Sequence, residues 1–284
     1  MRVNREPFRW GMGSGVSGLV GAGASLALAA GCIISAGCAS DSGRSAAPRV
    51  EAQAPTPAQL EGLPVCRLMT GWGGLGSGVP LSDDVLITCR HCLPRGSGEV
   101  GSRGRIEVDG RRRTFELLSA GQSRDGKDDW AIIRISPPGL PTPAVIDPSR
   151  RLREGEQVYI CGYWPGESAA RLGQDDLRRL EPQAICTQAV AVQGTRRLPS
   201  DVTIFAQAGP EDIFKGMSGG PAAVWNPREQ RMEVIGIYIG AAEFEKGQSE
   251  HAGRVQVIRR LPAEAIAAAL APETADAPAP SAAE

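Results

Sequence analysis

The sequence predicts an all-β fold, an antiparallel barrel or sandwich, closed by one short C-terminal helix. Three observations predict it. Short runs rich in β-branched and aromatic residues recur from residue 65 to residue 240. Gly, Pro, Asp or Ser punctuates most of them, at the close spacing of strands joined by tight turns. One segment alone reads clearly as helix, Pro262–Leu270 (PAEAIAAAL), with Pro in the first turn and strong helix formers behind it. In chain order the runs are VCRLMT, DDVLIT, GRIEVDG, RRTFELL, DWAIIRI, EQVYICGY, AICTQAVAV, DVTIFAQ, GPAAVW and MEVIGIYIG. No internal repeat accompanies them.

Around this body the texture changes. Residues 1–38 begin with Arg2, Arg5 and Arg9, and Gly11–Ser40 then contain no charged side chain. A basic start before a small-residue apolar run reads as an export signal or anchor. Small residues precede Cys32 and Cys38, either of which could be a lipoprotein acceptor; cleavage near Ala39 and retention as a membrane anchor are the other readings. Each places the body outside the cytoplasm, in the periplasm or at the cell surface, and leaves any membrane contact to this N-terminal segment. Residues 39–62 have no period and are rich in Ala, Pro and Ser, a flexible linker; residues 271–284 are the same kind of material, a disordered tail. The globular domain is expected over residues 63–270.

Composition excludes several classes. The chain has 284 residues, with 31 Lys and Arg against 32 Asp and Glu, a net charge of −1. No electrostatic footprint for nucleic acid or an anionic membrane face follows from that balance. Gly (36) and Pro (22) make up about a fifth of the chain, short of the roughly 25–30% of low-complexity sequence.

The chain has two histidines. His251 sits in a polar loop and reads as solvated. His91 follows the DDVLIT strand, Asp129 opens the apolar strand DWAIIRI, and Ser218 lies in the glycine-rich turn FKGMSGGP before another strand. Serine is a poor nucleophile until a base removes its proton, and the base needs a third group to hold its tautomer. A His, an Asp and a Ser on turns at strand ends can converge although far apart in sequence.

These segments resemble the signatures of the trypsin-like (chymotrypsin-fold) serine peptidases, in particular their bacterial Deg-type branch. The matching residues are Gly76-Ser77-Gly78 before a strand, Thr88-Cys89-Arg90-His91-Cys92, Asp129-Trp130-Ala131-Ile132-Ile133 and Gly216-Met217-Ser218-Gly219-Gly220-Pro221. The last three stand in the order His, Asp, Ser with separations of 38 and 89 residues. The resemblance covers about Cys66 to Leu261. It implies two six-stranded antiparallel barrels, about 63–147 and 148–261, with the site in the cleft between them and no PDZ-like domain after them. It implies Ser218 as nucleophile, His91 as general base and acid, Asp129 as the residue orienting the imidazole, and the Gly216 and Ser218 N–H groups as oxyanion hole. Asp128 is read as a solvated neighbour. The function implied is hydrolysis of a polypeptide substrate through an acyl-enzyme, with no cofactor and no metal. The alternative is an inactive peptide-binding protein of the same fold.

Met217 stands where peptidases activated by N-terminal cleavage have an aspartate, so that kind of activation is not expected. Asp212, six residues before Ser218, falls where the resemblance puts the base of the specificity pocket, and its carboxylate would select Arg or Lys. Of the cysteines beyond the leader, the resemblance implies Cys92 paired with a cysteine on a preceding strand, Cys66 being the candidate. Cys161 and Cys186 lie on two later strands and could pair with each other, while Cys89 reads as a small packed thiol. Two rival readings of the cysteines fail locally. Cys89-Arg90-His91-Cys92 resembles a redox CxxC, but Leu93-Pro94-Arg95-Gly96 cannot start the helix such a motif needs. A zinc site from Cys66, Cys89, His91 and Cys92 has the right ligand types at no common structural spacing.

Overall fold

A computed structural model describes residues 54–69, 74–122, 128–164, 183–192, 203–207, 216–244 and 253–272. The fold is all-β, as expected, and is built from two closed six-stranded antiparallel barrels. Barrel one contains β1 (Cys66–Met69), β2 (Leu75–Pro80), β3 (Val85–Thr88), β4 (Arg103–Val108), β5 (Arg111–Ala120) and β6 (Ala131–Ser136), closed in the order β1-β2-β3-β6-β5-β4. Barrel two contains β7 (Gln157–Trp164), β8 (Gln183–Val192), β9 (Thr203–Gln207), β10 (Pro221–Asn226), β11 (Arg231–Phe244) and β12 (Gly253–Arg260), closed in the order β10-β11-β12-β9-β8-β7. Closure leaves neither sheet with an open edge.

Three apolar clusters hold this together. Leu68, Leu86, Ile106, Phe115, Ile133 and Ile135 fill barrel one. Val158, Ile160, Ile204, Val224, Ile235 and Ile258 fill barrel two. A third cluster lies between the barrels, where Val79, Ile87 and Ile132 meet Phe205, Ile237 and Val257. The third layer explains a feature of the sequence. VLIT and AII in β3 and β6 are unbroken apolar runs because Leu86 and Ile133 face the barrel interior while Ile87 and Ile132 face the other barrel. A strand buried on both faces has no polar alternation to show.

The helix near the C-terminus, α2 (Ala263–Leu270 in chain order), starts one residue inside the expected span with Pro262 at its N-cap, and buries Ile266 and Ala269. Two elements depart from expectation. The end of the segment read as linker forms a five-residue helix, α1 (Pro57–Glu61). Thr56 and Gln59 make a reciprocal capping box there, Pro57 occupies the first turn, and Leu60 packs on the inter-barrel cluster. Gly76-Ser77-Gly78 does not precede a strand but lies inside β2, where Gly78 pairs with Thr88.

Candidate active site

The end of β3 sets the first half of the site. After Thr88 the chain makes a single 3-10 turn, Arg90–Cys92, with Cys92 N–H donating to Cys89 O (3.0 Å). Arg90 pins this turn by donating to Gly121 O (2.6 Å) and Gly98 O (2.7 Å). His91 is thereby aimed at Asp129, the residue two before β6. Its backbone N–H donates to Asp129 Oδ1 (3.0 Å), and its Nδ1 hydrogen-bonds Oδ2 of the same buried carboxylate. A carboxylate accepts only, so Nδ1 carries a proton, and Nε2 has its lone pair free whenever the imidazole is neutral. The His91 side chain is 39% exposed, open to whatever enters the cleft.

The second half is the turn Gly216–Gly220, and barrel one holds it. Ser77, fully buried on β2, donates its hydroxyl to Gly216 O (2.8 Å), accepts from Tyr163 N–H (2.9 Å), and donates its own N–H to Ser218 O (2.7 Å). Thr88 Oγ1 in turn donates to Ser77 O (2.6 Å). Gly216 and Gly219 have φ of +104° and +86°, which glycine adopts without cost. A Cβ on Gly219 would stand 2.1 Å from Ser77 O and 2.9 Å from Cys89 N, so the turn carrying Ser218 lies hard against the segment carrying His91. The Gly219 N–H donates to Tyr238 O and the Gly220 N–H to Met217 O, whereas among the described residues the Gly216 and Ser218 N–H groups have no acceptor. Met217 is buried in the interior of barrel two.

Sequence reasoning assigned Ser77 no role. The signal was present, a serine between two glycines, but nothing local says that its hydroxyl crosses to the other barrel.

Two expectations are corrected. Asp128 is not a solvated neighbour. Its Oδ1 accepts from Trp130 Nε1 (2.7 Å) and from Arg259 Nε and Nη2 (3.2 and 2.9 Å), and its Oδ2 from Gln122 N–H (3.0 Å). Arg259 is on β12, so this cluster ties the Asp129 loop to barrel two. Nor do Cys66 and Cys92 pair: both thiols are free. Cys66 points into barrel one, where burial and Asp109 push its thiol far up. The position facing Cys92 on the neighbouring strand is Gly76, whose added Cβ would stand 2.7 Å from Cys92 Sγ. Cys161 and Cys186 are directly opposite in the β7–β8 register and form a disulfide. Cys89 is buried and donates to Tyr238 O (3.2 Å). Asp212, His251, Cys32 and Cys38 lie outside the described residues.

The electrostatics centre on one pair. Cys89 and then His91 hold the Cys92 thiol below its ordinary value, against burial. Burial disfavours the His91 imidazolium, but the negative charges of Cys92 and Asp129 and their hydrogen bonds outweigh it and raise the imidazole above its ordinary value.

Residues 76–237 match the family of the trypsin-like peptidase domain. Among solved structures, the chain is similar to the Rv3671c protease in its inactive form, at 17% identity over 76% of this chain and 95% of that one, with a TM-score of 0.46. It is similar to the active form of the M. tuberculosis Rv3671c protease at 20% identity over 81% and 92%, with a TM-score of 0.43. A serine endoprotease from Yersinia pestis matches at 21% identity over 76% and 66%, with a TM-score of 0.48. No curated protein matches the chain in sequence.

Proposed function

Because the chain belongs to the trypsin-like peptidase family, we propose that it is an exported serine endopeptidase acting through Ser218, His91 and Asp129. The observation that supports this best is the double hydrogen bond from His91 to the buried Asp129, next to a Ser218 turn anchored by barrel one. In this reading Ser218 Oγ attacks the scissile carbonyl and His91 Nε2 takes its proton. His91 then returns the proton to the leaving amine. Asp129 holds the tautomer and stabilises the imidazolium that forms. The unpaired N–H groups of Gly216 and Ser218 receive the oxyanion, each worth roughly 3 kcal/mol of transition-state stabilisation. Water then hydrolyses the acyl-enzyme by the same steps in reverse.

An exported location is supported by the Arg-led uncharged leader and by the Cys161–Cys186 disulfide, of a kind that persists in oxidising compartments. Specificity for Arg or Lys rests on Asp212 through the family resemblance alone. A positional-scanning peptide library checks it: preference for a basic residue should vanish in Asp212→Ala.

The test of the whole reading is a fluorophosphonate probe. It should label Ser218 in the folded wild-type protein and fail to label Ser218→Ala, whose kcat on peptide or ester substrates should fall by about 10⁴–10⁶. Near-wild-type turnover in Ser218→Ala removes Ser218 as nucleophile, and an unlabelled Ser218 in a protein without turnover leaves a peptide-binding protein of this fold.

A further inference from the structure

Sequence spacing argues against zinc on two counts, the 22-residue gap after Cys66 and the close clustering of Cys89, His91 and Cys92. The fold takes Cys66 away into barrel one and leaves three soft donors together. One donor atom each from Cys89, His91 and Cys92 lies within 4.8 Å of the others. Both thiols are free, buried and unneeded by the peptidase chemistry. We infer that this trio is a binding site for a thiophilic divalent cation of the Zn²⁺ class, and that filling it switches the peptidase off.

Four observations support the assignment. Ligand atoms around a tetrahedral zinc stand about 3.5–3.8 Å apart, as follows from Zn–S and Zn–N bonds of about 2.3 and 2.0 Å. The donor atoms of the trio, counting one ring nitrogen of His91, already stand within 4.8 Å of one another, about 1 Å from that spacing. Second, the Asp129 carboxylate accepts from Nδ1 of His91. That is the outer-shell arrangement that fixes a zinc-bound histidine, and it leaves Nε2 as the coordinating atom. Third, two thiolates cancel the charge of a dication, so the complex puts no net charge into a buried site. Any proton still on a donor atom passes to solvent as the cation binds. Fourth, the bonds given up are weak thiol contacts, Cys89 to Tyr238 O (3.2 Å) and Cys92 to Ser218 O (3.4 Å). The fourth coordination position falls to water from the cleft, through the exposed side of His91.

The consequence follows from one lone pair. Nε2 cannot bind a cation and take the Ser218 proton at once. This last step rests on the catalytic reading above, whereas ion binding does not.

The experiment therefore reads the two separately. Metal-free protein with its Cys161–Cys186 disulfide intact is titrated with Cd²⁺ without added reductant, and ultraviolet thiolate-to-metal charge transfer is followed. One equivalent should bind, Zn²⁺ should displace it, and Ser218→Ala should bind as wild type does. Cys66→Ala, which alters the thiol outside the trio, should keep the band. Cys89→Ala with Cys92→Ser should abolish it. In the activity arm, saturating Zn²⁺ should lower hydrolysis by about 10²-fold or more, the share a general base supplies, and a chelator should restore it. Each variant is compared with its own metal-free rate, and circular dichroism confirms its fold. Absence of the band in wild type, or its survival in the folded double variant, overturns the site. A band without inhibition overturns the switch and the role of His91 as base, and leaves the site standing.

Discussion

At the scale of single residues, Cys92 sets the pH at which His91 can work. In the proposed mechanism the neutral imidazole is the base, and its value is raised by the neighbouring Cys92 and Asp129 against the effect of burial. A raised value keeps imidazolium present to higher pH, so activity appears only as pH rises through it. With a chelator present, kcat/KM should climb through an ionisation above the ordinary histidine value of about 6.5. Cys92→Ser removes one negative neighbour, so its profile should shift to lower pH and its rate at neutral pH should rise. An unshifted profile would show that the thiol does not ionise beside the histidine. Gly76 offers a second test at this scale. Its added Cβ would lie 2.7 Å from Cys92 Sγ and 3.1 Å from Cys92 Cβ, against a usual Cβ separation near 3.8 Å in disulfides. The strand and the Cys92 turn need to move apart by about 0.7 Å to reach that separation. Gly76→Cys should form a disulfide with Cys92, read by mass spectrometry as the loss of two hydrogens and of one reactive thiol on unfolding. Thiols left free at both position 76 and Cys92 in the folded variant would refute the geometry.

At the scale of elements, the loop before β6 is held from the opposite barrel. Arg259 of β12 donates twice to Asp128, next to the carboxylate that orients His91. Burial pushes the Asp128 carboxyl up, but Gln122, Arg259 and Trp130 hold it below its usual range. A depressed carboxylate stabilises the fold above its unfolded value of about 3.9, and that contribution is lost as pH falls through the folded value. Hydrogen bonds to charged groups contribute about 1.5–3 kcal/mol, and the lower end applies because Asp128 is 38% exposed. Arg259→Gln should therefore lower Tm at pH 7, with the difference from wild type shrinking near pH 3. It should also lower kcat more than it raises KM, because Asp129 loses its register while the cleft does not. Equal stability of the two proteins at pH 7 would dismiss the clasp. The sequence hid this pairing. β12 (GRVQVIRR) was not recognised as a strand because Gln256, Arg259 and Arg260 break its apolar run, yet all three are buried through side-chain bonds. Asp128 and Asp129 also look alike locally; only the partners 131 and 38 residues away separate their roles.

At the scale of the whole molecule, the cluster between the barrels is as much a core as either interior. Ile87 and Ile132 share that cluster with Phe205, Ile237 and Val257 of barrel two, and lose those neighbours without it. Barrel one should therefore not survive loss of barrel two, and thermal unfolding of the reduced or oxidised protein should be a single calorimetric transition with coincident fluorescence change. Two resolved transitions would mean that the barrels stand independently. The architecture was legible because turn residues punctuate the strands, and the His, Asp and Ser motifs because each is continuous in sequence. The supports of those motifs were not legible, since Ser77 reaches Gly216 across 139 residues. That bond also ties activity to folding. The oxyanion turn belongs to barrel two, but the groups that shape it hang from β2 and β3 in barrel one. A chain with one barrel formed holds no assembled enzyme, whichever barrel it is. If Ser218 is the nucleophile proposed above, a half-made copy cannot cut its neighbours, and cleavage of a substrate becomes a reporter of the last docking event in the life of each new molecule.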